Sequence, residues 1–300
     1  MESLLSIVWD VNPIIFPIGD GGPRWYGLCW ALGIYLCYLV QVKLYAHEGC
    51  PKDWAEKIFW WMTIGVIVGA RVGHCWFYEW HYTNDPIQIL AWNIHYRNPY
   101  IENPLALLKI WEGGLASHGG AIGLIIASWL LNKKHFSKKP EFKTSMVWIL
   151  DRLVIGVCIT ATLIRFGNLM NSEIYGEPTS LPWGFIFVRD GQTEPCHPTQ
   201  IYEMLYCIVA FVVTWILYWK FDAYKKKGLL LGVFLLIVFV TRFCLEFIKF
   251  NQEAFEDNFI LNQGQVLSIP LIVWGVYLVV NSRKIEISKN RNIDKPKSQK

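Results

Sequence analysis

Seven apolar runs, each close to the length that crosses a bilayer as a helix, constrain this chain more than any other feature. They cover residues 25–45, 55–78, 113–131, 145–164, 199–219, 228–249 and 264–280. A helix rising about 1.5 Å per residue needs roughly 20 apolar residues to cross a hydrocarbon core of about 30 Å. Inside hydrocarbon, backbone donors and acceptors have no water to bond, and a helix satisfies them within one segment. The runs therefore predict an all-α polytopic membrane protein with seven transmembrane helices occupying residues 25–280. Composition agrees: only 17% of residues are charged, against about a quarter in soluble domains. Sixteen tryptophans and fourteen tyrosines crowd the ends of the runs, as expected of rings that settle at the headgroup level. A soluble globular domain is excluded.

Charge gives the orientation. The connections after the first, third and fifth runs and the carboxyl tail carry 19 lysines and arginines, whereas the alternate connections and the amino-terminal segment carry four, Arg24, Arg97, Lys109 and Arg189. The positive-inside rule puts the amino terminus outside and the carboxyl terminus in the cytoplasm. Residues 1–24 lack a basic start and their first apolar stretch is broken by Asp10, Asn12, Pro13 and Pro17, so they read as an outer segment rather than a cleavable signal peptide. Two outer connections are longer than a turn. Residues 80–112, with Asp85-Pro86, Asn98-Pro99 and Asn103-Pro104, predict a periplasmic-side interfacial arm of short helices and turns. Residues 177–198 surround the alternating run 185–188 with Pro and Gly and predict a small irregular or β-containing cap. The tail, 281–300, is basic and polar, a composition that predicts disorder over 285–300. Eight cysteines form no CxxC pair and lie mostly in apolar runs, which suits small buried hydrophobes rather than a disulfide framework or a metal site.

Polar islands interrupt this apolar pattern. The densest, residues 165–176, reads Arg-Phe-Gly-Asn-Leu-Met-Asn-Ser-Glu-Ile-Tyr-Gly. An arginine at a membrane boundary is costly, and Asn168, Asn171, Glu173 and Gly176 follow it closely; a snorkelling arginine with a polar cap explains one such residue but not this density. His118 sits among Gly113, Gly114, Gly119, Gly120 and Gly123. Close helix packing accounts for the glycines, while an imidazole in hydrocarbon needs a partner or a task. Arg71 has a similar small-residue setting between Gly69 and Gly73. Asp151 and Arg152 are adjacent, and an internal structural pair is as good a reading as a site. Arg242 precedes Glu246 by one helical turn, the spacing at which side chains meet. His197-Pro198-Thr199-Gln200-Ile201-Tyr202-Glu203 opens the fifth run, where helix capping and a site role are both open. Intramembrane guanidinium groups suit a phosphate, which they grip bidentately, and so point to an anionic lipid headgroup.

Together these islands resemble the prolipoprotein diacylglyceryl transferase family. The motifs that carry the resemblance are Trp-Tyr-Gly-Leu at 25–28, the small-residue motif around Arg71, Gly-Gly-x-x-x-His-Gly-Gly at 113–120, Arg-x-Gly-Asn-x-x-Asn-x-Glu-x-Tyr-Gly at 165–176, the His197–Glu203 island, Arg-x-x-x-Glu at 242–246 and Gly-Gln-x-Leu-Ser-x-Pro at 264–270. Ser172 stands where the family usually carries glycine, Cys196 where an arginine often precedes the histidine, and residues 249–253 depart from the usual Arg-x-Pro-Asp. The resemblance implies a bacterial inner-membrane enzyme that moves the diacylglyceryl group of phosphatidylglycerol to the lipobox cysteine of a prolipoprotein signal peptide and releases glycerol-1-phosphate. It implies His118 as the base, Arg165 and Arg242 on the phosphate with Arg71 assisting, and Tyr26, Asn168, Asn171, Glu173, Gly176, His197, Glu203 and Glu246 ordering the substrate and the arginines. No metal, organic cofactor or nucleic acid is implied, and the chain reads as a monomer. A lipid transporter would show duplicated halves, and an intramembrane hydrolase would need a nucleophile elbow, HExxH or paired carboxylates; the sequence shows none of these.

Overall fold

The computed structural model describes residues 6–19, 21–77, 79, 81–89, 92–108, 116–250 and 261–284. Its helices are α1 (Trp25–His47), α2 (Asp53–Phe77), α3 (Pro99–Glu102), α4 (Ser117–Lys134), α5 (Met146–Met170), α6 (Thr199–Lys220), α7 (Leu229–Leu245) and α8 (Gln263–Val280). Short strands β1 (Ile7–Trp9), β2 (His81–Ile89), β3 (Trp92–Arg97), β4 (Phe185–Phe187), β5 (Lys226–Lys227) and β6 (Arg283–Lys284) complete the described elements. Among the described residues, five helices are long and apolar enough to cross a membrane: α1, α2, α5, α6, and α7 with the 3-10 turn that extends it to Ile248. The protein is therefore an all-α polytopic membrane protein. The chain forms two compact units, Pro51–Met146 and a larger one made of Met1–Cys50 with Val147–Lys300.

In the larger unit α5 is the axis. Burial is nearly continuous from Trp148 to Cys158, the pattern of a helix surrounded on all sides. Small residues let α1 close on it: a Cβ at Gly33 would meet the Thr160 Cα at 3.0 Å, and one at Gly167 would meet the Tyr26 Cα at 3.0 Å. At one end of α5 the adjacent Asp151 and Arg152 divide their work. Arg152 grips Glu48 with Nε and Nη2 at 3.0 and 2.9 Å and donates to the carbonyls of Trp148 and Tyr224. Asp151 accepts from the backbone N–H of Gly228 (2.6 Å) and Leu231 (2.9 Å), satisfying otherwise orphaned donors at the start of α7. The two also approach each other to 3.9 Å, so the pair is structural, with Glu48 as the partner that the sequence did not single out. Beside this end β5 pairs antiparallel with β6; the remainder of the tail, 285–300, lies outside the described residues.

At the opposite end of α5 stands the cap. Strand β1, from the amino-terminal segment, runs parallel to β4 with Ile7, Val8 and Trp9 opposite Phe185, Ile186 and Phe187. Leu169, Phe185, Phe187 and Cys196 form its core, with Trp9, Tyr175 and Ile201 packed against it. The Trp9 indole donates to the Leu169 carbonyl at 2.9 Å. Tyr175 stacks on Phe187 and bonds to Asp190, and burial, then this carboxylate, push its phenol up to about 12. The expected β-containing cap is thus present, built with a strand from residues 1–24.

In the smaller unit α2 and α4 run antiparallel along two glycine stripes. A Cβ at Gly65 would fall 2.6 Å from the Ala127 Cβ, one at Gly73 2.7 Å from the Gly119 Cα, and one at Gly123 2.9 Å from the Gly69 Cα. Backbones meet here with no side chain between them, which is the small-residue packing expected where water cannot drive helices together. Residues 113–115, taken above as the start of the third run, lie outside the described residues. The arm needs a correction. Its first half is not helical: β2 and β3 form an antiparallel hairpin, followed by α3 and a 3-10 turn at Pro104–Leu108. The reason is legible afterwards, because Trp92, Ile94 and Tyr96 alternate with polar residues and such side chains favour strands. Pro86, read as a turn signal, falls at the register shift between Tyr82 and Ile87, where a strand tolerates a missing N–H. Asn98 accepts from the Tyr100 N–H and caps α3.

Candidate active site

The polar island after α5 is shaped by the way that helix ends. The Glu173 N–H bonds to the Asn168 carbonyl at 3.1 Å and the Ser172 N–H to the Leu169 carbonyl at 3.0 Å, the pair of bonds that closes a helix through a left-handed residue. That residue is Ser172, at φ +56°, a conformation that glycine adopts without steric cost. Ile174 is also left-handed, at φ +61°, a conformation costly for a β-branched side chain. Two bonds from α6 hold it: Thr199 Oγ1 donates to the Ile174 carbonyl at 2.7 Å and Gln200 Nε2 to the Glu173 carbonyl at 2.6 Å. The polar start of α6 therefore ties down this loop. It does not cap its own helix, whose N-cap is Pro198 with no side-chain cap bond.

Within the loop, Asn168 works at both ends. Its Oδ1 accepts from Arg165 Nη1 at 3.2 Å and its Nδ2 donates to Glu173 Oε1 at 2.8 Å, an amide orientation dictated by a donor on one side and a carboxylate on the other. Asn171 Nδ2 donates to the same Glu173 oxygen at 3.2 Å. Arg165 is thus braced from behind, and its Nε pairs with Glu203 of α6.

From Glu203 the charges continue. Lys249 pairs with the other Glu203 oxygen and lies 3.6 Å from Glu246, which in turn lies 3.4 Å from Arg242 Nε. Asn262, the N-cap of α8, donates to Glu246 Oε2 at 3.3 Å. Gly264 lets the carboxylate lie flat against the backbone, since a Cβ there would be 2.6 Å from the Glu246 carboxyl carbon. The result is one chain of alternating charge, Arg165, Glu203, Lys249, Glu246, Arg242. Glu203 and Lys249 are 1% and 5% exposed, and burial of such groups is tolerated where they are paired.

The sequence-derived residues fall into three groups. Arg165, Asn168, Asn171, Glu173, Glu203, Arg242 and Glu246 are joined in the network just described. Tyr26, Gly176 and His197 line its supports. Tyr26 packs on Gly167 and accepts from the Trp30 indole at 3.2 Å. Gly176 is pinned by bonds with His197 and a bridge to Lys249, with no room for a Cβ beside Thr199 and His197. The His197 ring lies 3.3 Å from the Tyr202 hydroxyl. Arg71 and His118 belong to the smaller unit. Arg71 is buried, donates from Nε to the Leu107 carbonyl at 3.1 Å, and lies 5.1 Å from the Tyr100 ring centroid. His118 is an exposed side chain in the first turn of α4. Lys249 closes the sixth apolar run, and sequence reasoning left it out of the site. Its position seven residues after Arg242, two turns along the same face, was the available signal.

A family model described as prolipoprotein diacylglyceryl transferase matches residues 13–281. The chain is similar to proteins named phosphatidylglycerol–prolipoprotein diacylglyceryl transferase. It is 41% identical to that of Porphyromonas gingivalis, covering 94% of this chain and 97% of the relative. It is 40% identical to that of Chloroherpeton thalassium, covering 95% and 97%, and 38% identical to that of Tolumonas auensis, covering 93% and 98%. The island around Arg165, with its left-handed Ser172 and its chain of ion pairs, sits well inside the matched region, and the chain belongs to the prolipoprotein diacylglyceryl transferase family.

Proposed function

We propose that the protein transfers the diacylglyceryl group of phosphatidylglycerol to the lipobox cysteine thiol of prolipoproteins, the first step of bacterial lipoprotein maturation. The observation that carries this reading, beside family membership, is a pair of guanidinium groups, Arg165 and Arg242, at the two ends of one chain of ion pairs. Each guanidinium has five N–H donors, more than its carboxylate partner takes. A phosphodiester headgroup carries one negative charge and offers the oxygens that guanidinium groups grip.

In the reaction the thiolate sulfur attacks the glyceryl carbon that bears the phosphate. The new C–S bond is a thioether, the C–O bond breaks, and glycerol-1-phosphate leaves with the electron pair. A free thiol has a pKa of about 8.5, so a base must take its proton. His118 is assigned that role, supported by its exposure at the start of α4. Arg165 and Arg242, with Arg71 assisting, are assigned to the developing charge on the leaving phosphate, where fixed donors are worth most. Asn168, Asn171 and Glu173 hold Arg165 in place, Glu203 and Glu246 orient the arginines, and Tyr26, Gly176 and His197 shape the walls.

The topology we propose has seven spans, with α4 and α8 joining the five longer helices. Each has 18 residues, or about 27 Å of helix, enough for a thin core. Residues 1–24, the arm at 80–112 and the cap at 177–198 face the periplasm, and the tail at 281–300 the cytoplasm, in the inner membrane of a bacterium. In this reading the protein acts as a monomer. Purified protein mixed with phosphatidylglycerol and a lipobox peptide tests the reading: glycerol phosphate should appear in step with a diacylglyceryl mass gain on the peptide. Folded protein that leaves both substrates unchanged would refute it.

A further inference from the structure

The smaller unit carries a groove to whose lining residues the proposed transfer reaction assigns no role. It holds about 600 Å³ along the seam of α2 and α4, within the roughly 300–1,000 Å³ of small-molecule sites. Its floor is the glycine stripe, and its walls include Trp61, Ile64, Val68, Ile122, Ile126 and Leu130. Ile64, Val68, Ile122 and Ile126 are about half exposed, so the groove opens sideways to whatever surrounds the helices. It runs from Trp60 to Phe77, about 25 Å of helix, longer than one leaflet of hydrocarbon at about 15 Å.

One mouth of the groove is cationic. The Lys134 ammonium lies 5.6 Å from the Trp61 ring centroid and Lys133 5.1 Å from that of Trp129. Both lysines are exposed, and among the described residues neither is in an ion pair. Lys57 is engaged by Asp53 at 2.6 Å. Residues 51–57 and 132–146 together hold seven lysines against three carboxylates, Asp53, Glu56 and Glu141, an excess of four positive charges.

We propose that this groove is an accessory binding site for an anionic phospholipid of the cytoplasmic leaflet, with one acyl chain along the glycine floor and the phosphate at Lys133 and Lys134. Charge decides the occupant. The other apolar segment that such an enzyme meets, a signal peptide, brings its basic end to the same side of the membrane and would be repelled there. An anionic headgroup is attracted, and the tryptophan rings hold the ammonium groups at headgroup depth. The inference rests on the topology proposed above, which puts these lysines on the cytoplasmic side, but not on the chemistry of transfer.

Native mass spectrometry of the detergent-purified full chain, titrated with phosphatidylserine or phosphatidylcholine, tests it. Phosphatidylserine is anionic but lacks the glycerol headgroup of phosphatidylglycerol, so turnover of that lipid is not the readout. Wild type should retain phosphatidylserine in preference to phosphatidylcholine. Replacing both lysines (K133Q with K134Q) should weaken phosphatidylserine retention about thirtyfold and leave phosphatidylcholine unaffected. Val68→Trp, which fills the groove from its lipid side without touching the glycine floor, should abolish the preferred adduct while thermal stability holds. Equal retention of the two lipids by wild type, or undiminished phosphatidylserine retention in both folded variants, would overturn the proposal.

Discussion

Arg165 donates in two directions, from Nη1 to Asn168 and from Nε to Glu203, and a planar fork is what makes both possible. A lysine keeps the charge but not the fork. Arg165→Lys should therefore be nearly as damaging as Arg165→Ala, each slowing transfer by about ten to a few hundredfold per folded molecule; full activity in either would remove Arg165 from the site. Lys249 lies between the two carboxylates that hold the arginines. Lys249→Met would leave Glu203 and Glu246 without their shared cation and draw Arg165 and Arg242 more tightly onto them, so the KM for phosphatidylglycerol should rise about tenfold or more, with a lower melting temperature because a buried pair is broken. Lys249→Arg should recover both, and an unchanged KM in the Met variant would make the lysine purely structural. For His118, the Gln variant should bind lipid normally but turn over slowly, with part of the loss regained at high pH, where thiolate forms unaided. A pH-independent loss, or none, would assign the base elsewhere, His197 first.

Elements in this protein are joined mostly by small residues, and where they end decides what they can do. Helix α5 ends in a left-handed serine, which turns the chain so that Glu173 can face Asn168 and Asn171. Helix α4 ends at His135, whose ring packs edge-on against Trp61. Burial, then the ammonium groups of Lys57, Lys138 and Lys134, hold that imidazole below its ordinary value of 6.5, with Asp53 opposing. A base whose pKa is lower in the folded state favours folding above its unfolded pKa and loses that contribution as pH falls through the folded one. The melting temperature should therefore decline between about pH 7 and pH 5, and His135→Gln should flatten the decline. An identical slope in the variant would show that other groups dominate.

For the whole molecule, function depends on which side of the membrane the site faces. A reporter fused after Val280 should read cytoplasmic and one inserted within residues 184–193 periplasmic. The opposite pair of readings would put the charged network on the wrong side for a secreted precursor. The division into two units separates the assigned residues as well. The ion-pair network lies in the larger unit, while Arg71 and His118 lie in the smaller one.

Much of this was legible in the sequence because it is local. A run of apolar residues specifies a spanning helix wherever it is placed, since the backbone must satisfy itself in hydrocarbon. Arg242 and Glu246 could be paired on sight, as could Arg165 with the amides that follow it, because helix geometry brings residues three and four apart together. The glycine stripe declared close packing but not its partner. Only the tertiary structure decided the pairs between distant segments: Arg152 with Glu48, 104 residues away, Lys249 with Glu203, 46 away, and β1 with β4 in the cap. Any buried carboxylate would satisfy a buried cation equally well in chemical terms. The choice among them rests on which backbones approach closely enough, and that depends on how all the helices pack together. The hairpin in the arm was hidden for a related reason: its alternation was visible, but strands bond only to each other, and their register needs both.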